Sequence, residues 1–286
     1  MPDLFLCYFF MLTFDPNQIP FHETHRLLLG GVAPRPIAFV GTVDGEGRSN
    51  LSPFSFFNAF GVNPPIICFS PAYSGKTGAP KDTLLNILET KECTVSVVTY
   101  DLVRQASLSS APYERGVDEF VKAGLTKSPS TIVKAPGVKE SPFIMEAKLL
   151  QHIDFGGKHG SANMLICEVL LIHVSESVMT EKGQIDPRKI DLVARLGGPF
   201  YSRSAQGLFE LNQPAEVNHG FDALPIEIRE SAYLSGHDLA KLLLSGLIPS
   251  FPTKLHPATI EDRHLRAKEL IEHDDLDEAW KVLIAQ

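Results

Sequence analysis

The residues best suited to chemistry are concentrated in one stretch, where Asn50, Ser52, Ser55 and Asn58 alternate with Pro53, Phe54, Phe56 and Phe57. Successive strand side chains point to opposite faces, which puts Ser52 and Phe54 on one face and Pro53 and Ser55 on the other. A flat aromatic cofactor needs this mixture: apolar contact for its ring, and a few donors and acceptors for its polar edge. The same residues also suit a half-buried hairpin whose serines stabilise turns. Lys81-Asp82-Thr83 forms a second constellation at the start of an expected helix. Free backbone N–H groups and the helix dipole favour an anion there, and Lys81 and the Thr83 hydroxyl add donors. The plainer alternative is an ordinary helix cap with Asp82 as the capping residue. Arg35, held between Pro34 and Pro36, is a third candidate anion contact, with a surface ion pair as its alternative.

Several other chemistries drop out. Ser74-Gly75-Lys76-Thr77 looks like the end of a phosphate-binding P-loop, but that motif needs a glycine where Ser70 stands. His22-Glu23-Thr24-His25 lacks the one-turn spacing that would put two zinc ligands on one helix face, so no metal is expected. There is neither a glycine-rich strand-to-helix turn of the dinucleotide-binding kind nor a serine elbow. The net charge is −8 with no basic cluster, which argues against nucleic acid. Cys7, Cys68, Cys93 and Cys167 are isolated, mostly within apolar runs, and read as buried free thiols in a reducing cytoplasm.

The elements that must position these groups follow from periodicity and turn residues. Pro36 to Val43 reads as a strand, Asp44-Gly45-Glu46-Gly47 as a hairpin turn, and Arg48 to Phe57 as the return strand. Asn63-Pro64-Pro65 breaks the pattern before a buried strand at Ile66 to Phe69. A helix is expected over Asp82 to Glu89 and a strand over Cys93 to Val98, with helical pieces at Tyr100 to Ser110 and Glu114 to Phe120. Two long strands follow, Phe143 to Asp154 and Asn163 to Val174. Strands in hairpin order imply a mainly β fold, an antiparallel barrel with added helices. Beyond Asn212, Leu239 to Leu247, Glu261 to His273 and Leu276 to Ala285 read as helices punctuated by Pro249 and Pro252. The 286 residues suffice for one large domain or a domain plus an appendage. The apolar run Leu4 to Leu12 is shorter than the ~20 residues of a spanning helix, so no membrane is expected. It reads as an extra strand or as the product of an upstream start, with Met11 as the alternative start.

Ala33-Pro34-Arg35-Pro36-Ile37-Ala38-Phe39-Val40, the stretch Asn50 to Asn58, Asn63-Pro64-Pro65 and Lys81 to Ile87 together resemble the flavin-reductase-like family. Within it they resemble the flavoredoxin and nitrilotriacetate-monooxygenase reductase-component branch. Arg195-Leu196-Gly197-Gly198-Pro199-Phe200-Tyr201 is similar to the segment that closes the domain in that branch. The resemblance runs from about 14 to 204 and is silent on 205–286. It implies an FMN-binding split β-barrel, with the flavin at a homodimer interface. The ring would lie against Ser52, Pro53, Phe54 and Ser55, with Asn58 near its polar edge and Asn50 counted in the cofactor set. The phosphate would lie near Lys81, Asp82 and Thr83, with Arg35 as a further contact. The implied activity is hydride transfer from NADH or NADPH to the flavin, sometimes for a partner oxygenase, and needs no side-chain acid or base. An FMN-bound electron carrier and a non-catalytic flavin-binding module are the alternatives. His159 and Tyr201 are candidates to line the nicotinamide pocket, or are simply structural. Gly156-Gly157, Gly160 and Gly197-Gly198 would leave one ring face open, or are plain turn residues. FMN is favoured over FAD because only one compact anion site is evident.

Overall fold

The computed structural model describes residues 11–157, 159–211, 220–246 and 260–284. Cys7, most of the Leu4 to Leu12 run, Pro249 and Pro252 lie outside them. Helix α1 (Phe21–Gly31) leads into β1 (Arg35–Pro36), β2 (Ala38–Val43), β3 (Ser49–Phe54), β4 (Phe57–Val62) and β5 (Pro65–Phe69). Then come α2 (Asp82–Thr90), β6 (Glu92–Val97), α3 (Val103–Ser109) and α4 (Glu119–Ala123). A short pair, β7 (Lys127–Ser128) and β8 (Gly137–Val138), precedes the long strands β9 (Phe143–Asp154) and β10 (Asn163–Val174). Helix α5 (Pro187–Ile190), β11 (Val193–Arg195) and β12 (Tyr201–Arg203) follow.

The expected hairpin forms: β2 pairs antiparallel with β3 from Ala38 opposite Phe54 to Val43 opposite Ser49. Its turn is held by Asp44 Oδ1, which accepts the N–H groups of Glu46 and Arg48. The return strand does not run on to Phe57. The Ala38–Phe54 pair is the last rung on β2, and the chain turns at Ser55-Phe56 to start β4, which pairs with β5. The long strands β9 and β10 occupy the expected spans, with bulges between Ile166 and Cys167 and between Val169 and Leu171.

These strands make a seven-stranded antiparallel sheet in the order β3-β2-β6-β9-β10-β5-β4. Consecutive strands β3 and β4 are therefore its opposite edges. In a flat sheet of this width those edges would lie about 29 Å apart, counting roughly 4.8 Å per strand. The two-residue link between them reaches only about 10 Å. The sheet must curl until its edges meet at Ser55-Phe56 without pairing, which makes it a split barrel, not a closed one.

Its interior is filled by Val40, Phe54, Phe69, Val95, Ala147 and Leu165, and the α2 residues Leu84 and Ile87 pack into the same core. Gly41 is required by close packing, because a Cβ there would fall 2.2 Å from the Pro136 carbonyl oxygen. The other face of β2 and β3 presents Phe39 and Leu51 to Leu102, Ala106 and Phe120 of the α3–α4 segment. A separate three-stranded sheet, β1-β11-β12, sets Arg35 opposite Arg195 and Arg195 opposite Tyr201.

Two local expectations are corrected, and one helix is added to those expected. Helix α1, which the sequence reading did not anticipate, buries none of its residues. The helix expected over Glu114 to Phe120 instead begins at Glu119, after Asp118 caps it by accepting the Phe120 N–H; Gly116 in the preceding turn has φ 88°. Asp82 does not cap α2. Lys81 is the N-cap residue, without a side-chain cap, and Asp82 is the first helical residue, paired with Arg115 at 2.9 Å.

The chain divides into two compact units, Met1–Leu208 and Phe209–Gln286. The second contains α6 (Ile226–Arg229), α7 (Gly236–Leu244), α8 (Ile260–Glu272) and α9 (Leu276–Ile284). Ser235 and Asp238 form a reciprocal capping box at the start of α7. Leu239, Leu242, Ala267, Ile271, Trp280 and Leu283 lie in its core.

Candidate functional site

At the seam where the sheet edges meet, Ser52, Pro53, Phe54, Ser55 and Phe56 line an open cavity of about 360 Å³. Its base is firm because Phe54 packs on Phe69 with ring centroids 6.0 Å apart. Ser70 joins the wall just after β5, where its N–H donates to the Phe56 carbonyl at 2.9 Å. The loop from Tyr73 to Lys76 and the residue Lys81 complete the lining. That loop is a compact turn: the Ser74 hydroxyl oxygen accepts the N–H groups of Lys76 and Thr77, and the Gly78 N–H donates to the Ser74 carbonyl at 2.8 Å. It is anchored to the long hairpin by Tyr73, whose hydroxyl donates to Asp154 Oδ2 at 3.2 Å and whose N–H donates to the Ser161 carbonyl. Among the described residues neither Lys76 nor Lys81 has a carboxylate partner. The site thus combines an apolar wall, the hydroxyls of Ser52, Ser55, Ser70, Tyr73, Ser74 and Ser110, and two cations without carboxylate partners among the described residues.

A second cavity, of about 220 Å³, lies against Pro53, Ser55 and Ser110, residues that also line the first. Helix α3 gives it one face through Val103, Ala106 and Ser107, positions at helical spacing. Arg195 and Tyr201 close the other side, with the guanidinium 4.5 Å from the ring centroid.

Of the residues expected in the cofactor set, the fold gathers Ser52, Pro53, Phe54, Ser55 and Lys81 on the first cavity. It takes Asn50 and Thr83 elsewhere, into a closed buried network. Asn50 Oδ1 accepts the Thr83 hydroxyl at 2.8 Å and the Thr42 hydroxyl at 3.3 Å, while its amide donates to Glu119 at 3.0 Å. Glu119 also accepts the Leu51 N–H, and the Asn86 amide donates to Thr42. Burial raises the Glu119 carboxyl above its ordinary range, an effect only partly countered by the Leu51 and Asn50 donors. Asp82 is engaged with Arg115. Asn58 is exposed on β4, and its Oδ1 accepts the neighbouring Ala59 N–H.

Arg35 is buried and acts as a strut, neither a surface ion pair nor a free anion contact. It donates to the carbonyls of Leu29, Val32 and Leu196 and to the Ser55 hydroxyl at 3.4 Å. Burial first, and the charge of Arg195 second, lower its pKa. His159 contacts the Gly75 carbonyl at 3.3 Å, and Tyr201 lines the second cavity. Gly197 does not face open space: a Cβ there would come within 3.2 Å of Gly30 Cα. Gly156, Gly157, Gly160 and Gly198 all have positive φ and serve as turn residues.

Sequence reasoning missed Ser70, Tyr73, Lys76, Ser110 and Arg195. Only Lys76 carried a usable signal, as a lysine in a glycine turn five residues before Lys81; rejecting the P-loop set it aside. Among the described residues no cluster of His, Cys, Asp and Glu could hold a metal ion, and no helix is long and apolar enough to cross a membrane.

Residues 30–187 match the family described as the flavin reductase like domain. An uncharacterised protein of Halalkalibacterium halodurans is 37% identical over 202 residues, 70% of this chain and 95% of that protein. Among solved structures, nitrilotriacetate monooxygenase component B from Bacillus cereus superposes with a TM-score of 0.66 at 34% identity, covering 70% of this chain and 98% of that one. The 2-nitrobenzoate 2-nitroreductase of Pseudomonas fluorescens gives a TM-score of 0.64 at 27% identity, covering 71% and 97%.

Proposed function

Because the chain belongs to the flavin reductase-like family, we propose that it is an oxidoreductase that binds FMN in the seam cavity and uses NADH or NADPH as electron donor. The observation that carries this is the composition of that cavity: Pro53, Phe54 and Phe56 beside Ser52, Ser55 and Ser70, with Lys76 and Lys81, which have no carboxylate partner among the described residues, in the same lining. The donor set fits FMN. Two ammonium groups suit one phosphate dianion, the hydroxyls suit the polar edge of a flavin ring, and the aromatic wall suits its faces. Two lysines and no further cation in the lining suit the one phosphate of FMN better than the pyrophosphate of FAD.

When bound, the flavin supplies a ring that accepts a hydride and passes electrons on. Pro53, Phe54 and Phe56 exclude water from its place. Arg35 fixes the Ser55 hydroxyl and sets a buried positive charge behind it, which favours negative charge on the ring's polar edge. Lys76 and Lys81 bind and orient through the phosphate. No side-chain acid or base is assigned.

The working unit in this reading is a homodimer. Phe60 is 67% and Val62 92% exposed on edge strand β4, and Phe21, Leu28 and Val32 are exposed on and beside α1. Apolar surface of this kind marks interfaces. Its three described cysteines are free, which suits a reducing cytoplasm. A partner oxygenase would be the natural consumer of reduced flavin.

The test is the visible spectrum of the purified protein before and after anaerobic NADH or NADPH, with the heat-released ligand identified by chromatography. FMN that bleaches with nucleotide is expected. FAD as sole ligand would overturn the cofactor reading. Reduction by dithionite but by neither nucleotide would make the protein an electron carrier instead.

A further inference from the structure

The second cavity has a chemistry that the flavin site does not use. Arg195 and the buried Arg35 face each other across β1 and β11, and neither has a carboxylate partner among the described residues. Arg35 is committed to carbonyls and Ser55, whereas Arg195 makes a single 3.3 Å bond to the Phe200 carbonyl. Stacking on the Tyr201 ring holds the Arg195 guanidinium in place at the cavity wall. Two uncompensated cations side by side favour an anion next to them. The rest of the wall says what kind. Ile37, Val103 and Ala106 offer apolar contact, and Ser107 and Ser110 offer hydroxyls. The volume of about 220 Å³ is below the roughly 300–1,000 Å³ typical of drug-sized ligands. A whole nucleotide does not fit within that volume; a single ring bearing one charge does.

We propose that this cavity binds a small planar organic carboxylate, with Arg195 as the fork that receives the carboxylate and Ser55 and Pro53 as the wall shared with the flavin cavity. The inference rests on the proposed flavin reading for its setting: a molecule held here touches Pro53, Ser55 and Ser110, the same residues that line the flavin cavity. The site would then select carboxylate-bearing compounds as electron acceptors or as modulators of the flavin.

The experiment is calorimetric titration of the full-length protein, as purified, with benzoate, with benzamide as its neutral counterpart and with inorganic phosphate, at constant ionic strength. Benzoate is expected to bind about 10- to 100-fold more tightly than benzamide, the range of a charge-assisted contact. Arg195→Met should remove that preference, and Arg195→Lys should restore only part of it, since an ammonium lacks the planar fork. Equal affinity for benzoate and benzamide, no binding of either, or phosphate binding as tightly as benzoate would each overturn the proposal. If Arg195→Met does not fold, the benzoate-to-benzamide ratio on the unaltered protein still decides. Flavin absorbance of the same samples separates the two readings. Lost carboxylate preference with flavin present defeats only this inference; absent flavin defeats the cofactor reading while the titration still reports on the cavity.

Discussion

Asn50 and Ser52 share one face of β3, and Lys81 and Thr83 flank the first residue of α2, yet each pair is divided between two environments. Asn50 and Thr83 meet each other under α2, where every polar atom they offer is matched from within the protein. Ser52 and Lys81 line the open seam cavity, whose two lysines have no carboxylate partner among the described residues. Composition and spacing are alike in the two regions; covering is not. A polar side chain whose bonds are all supplied internally holds the fold, and one left with unused donors is available to a ligand.

The largest effect expected tests the closed kind in its strongest form. Glu146 is fully buried and accepts the N–H groups of Thr131, Ile132 and Val133 and a hydrogen bond from His173. Burial pushes its carboxyl up, but these donors outweigh it and bring the pKa down to about 2. A depressed carboxyl contributes stability that is complete above the unfolded value near 4.5 and is lost as pH falls toward 2. Glu146→Gln should therefore cost about 3 kcal/mol at pH 7 in chemical denaturation, and the deficit should shrink below pH 4.5. Glu119, raised by burial, carries the opposite sign: Glu119→Gln should improve relative to the parent as pH rises above 4.5. Parallel pH trends for the two variants would break the distinction between them.

Next in size, Asn50→Ala should destabilise by about 1–3 kcal/mol, because it strips Glu119 Oε1 and the Thr83 hydroxyl of their buried partner. Flavin affinity per folded molecule should change less than about twofold, well under the tenfold that 1.4 kcal/mol would give. A tenfold loss of flavin with unchanged stability would move Asn50 to the cofactor side of the comparison. Lys81→Ala should do the reverse. It should weaken FMN by about 10- to 100-fold, riboflavin hardly at all, and leave stability within about 0.5 kcal/mol. Equal losses for FMN and riboflavin would place the phosphate elsewhere.

The smallest effect concerns the second unit. Its core is made of its own residues, among them Leu242, Ile271, Trp280 and Leu283. A chain ending at Leu208 should bind FMN within about twofold of the full protein, again well under the tenfold that 1.4 kcal/mol would give. Loss of binding would tie the helical unit to the flavin site and undo the boundary.

Local pattern was enough for much of the fold. The β2–β3 hairpin, the body of α2 and the long strands β9 and β10 were legible because alternation and turn residues act over a few positions. So was the family, through short motifs around Arg35, Asn50 to Asn58 and Lys81. The end of β3 at Phe54 was not legible, since nothing in Ser55-Phe56-Phe57 says where its partner β2 runs out. Tertiary structure alone decided which polar groups are used up. Asn50 meets Glu119 across 69 residues, and Arg35 meets Leu196 across 161. It also decided that Lys76 lines the same cavity as Lys81, and that Arg195 stands opposite Arg35 with no carboxylate partner among the described residues. Periodicity carries information along the chain, but hydrogen-bond satisfaction and charge compensation are set by neighbours in space, which exist only once the sheet has curled to bring its edges together.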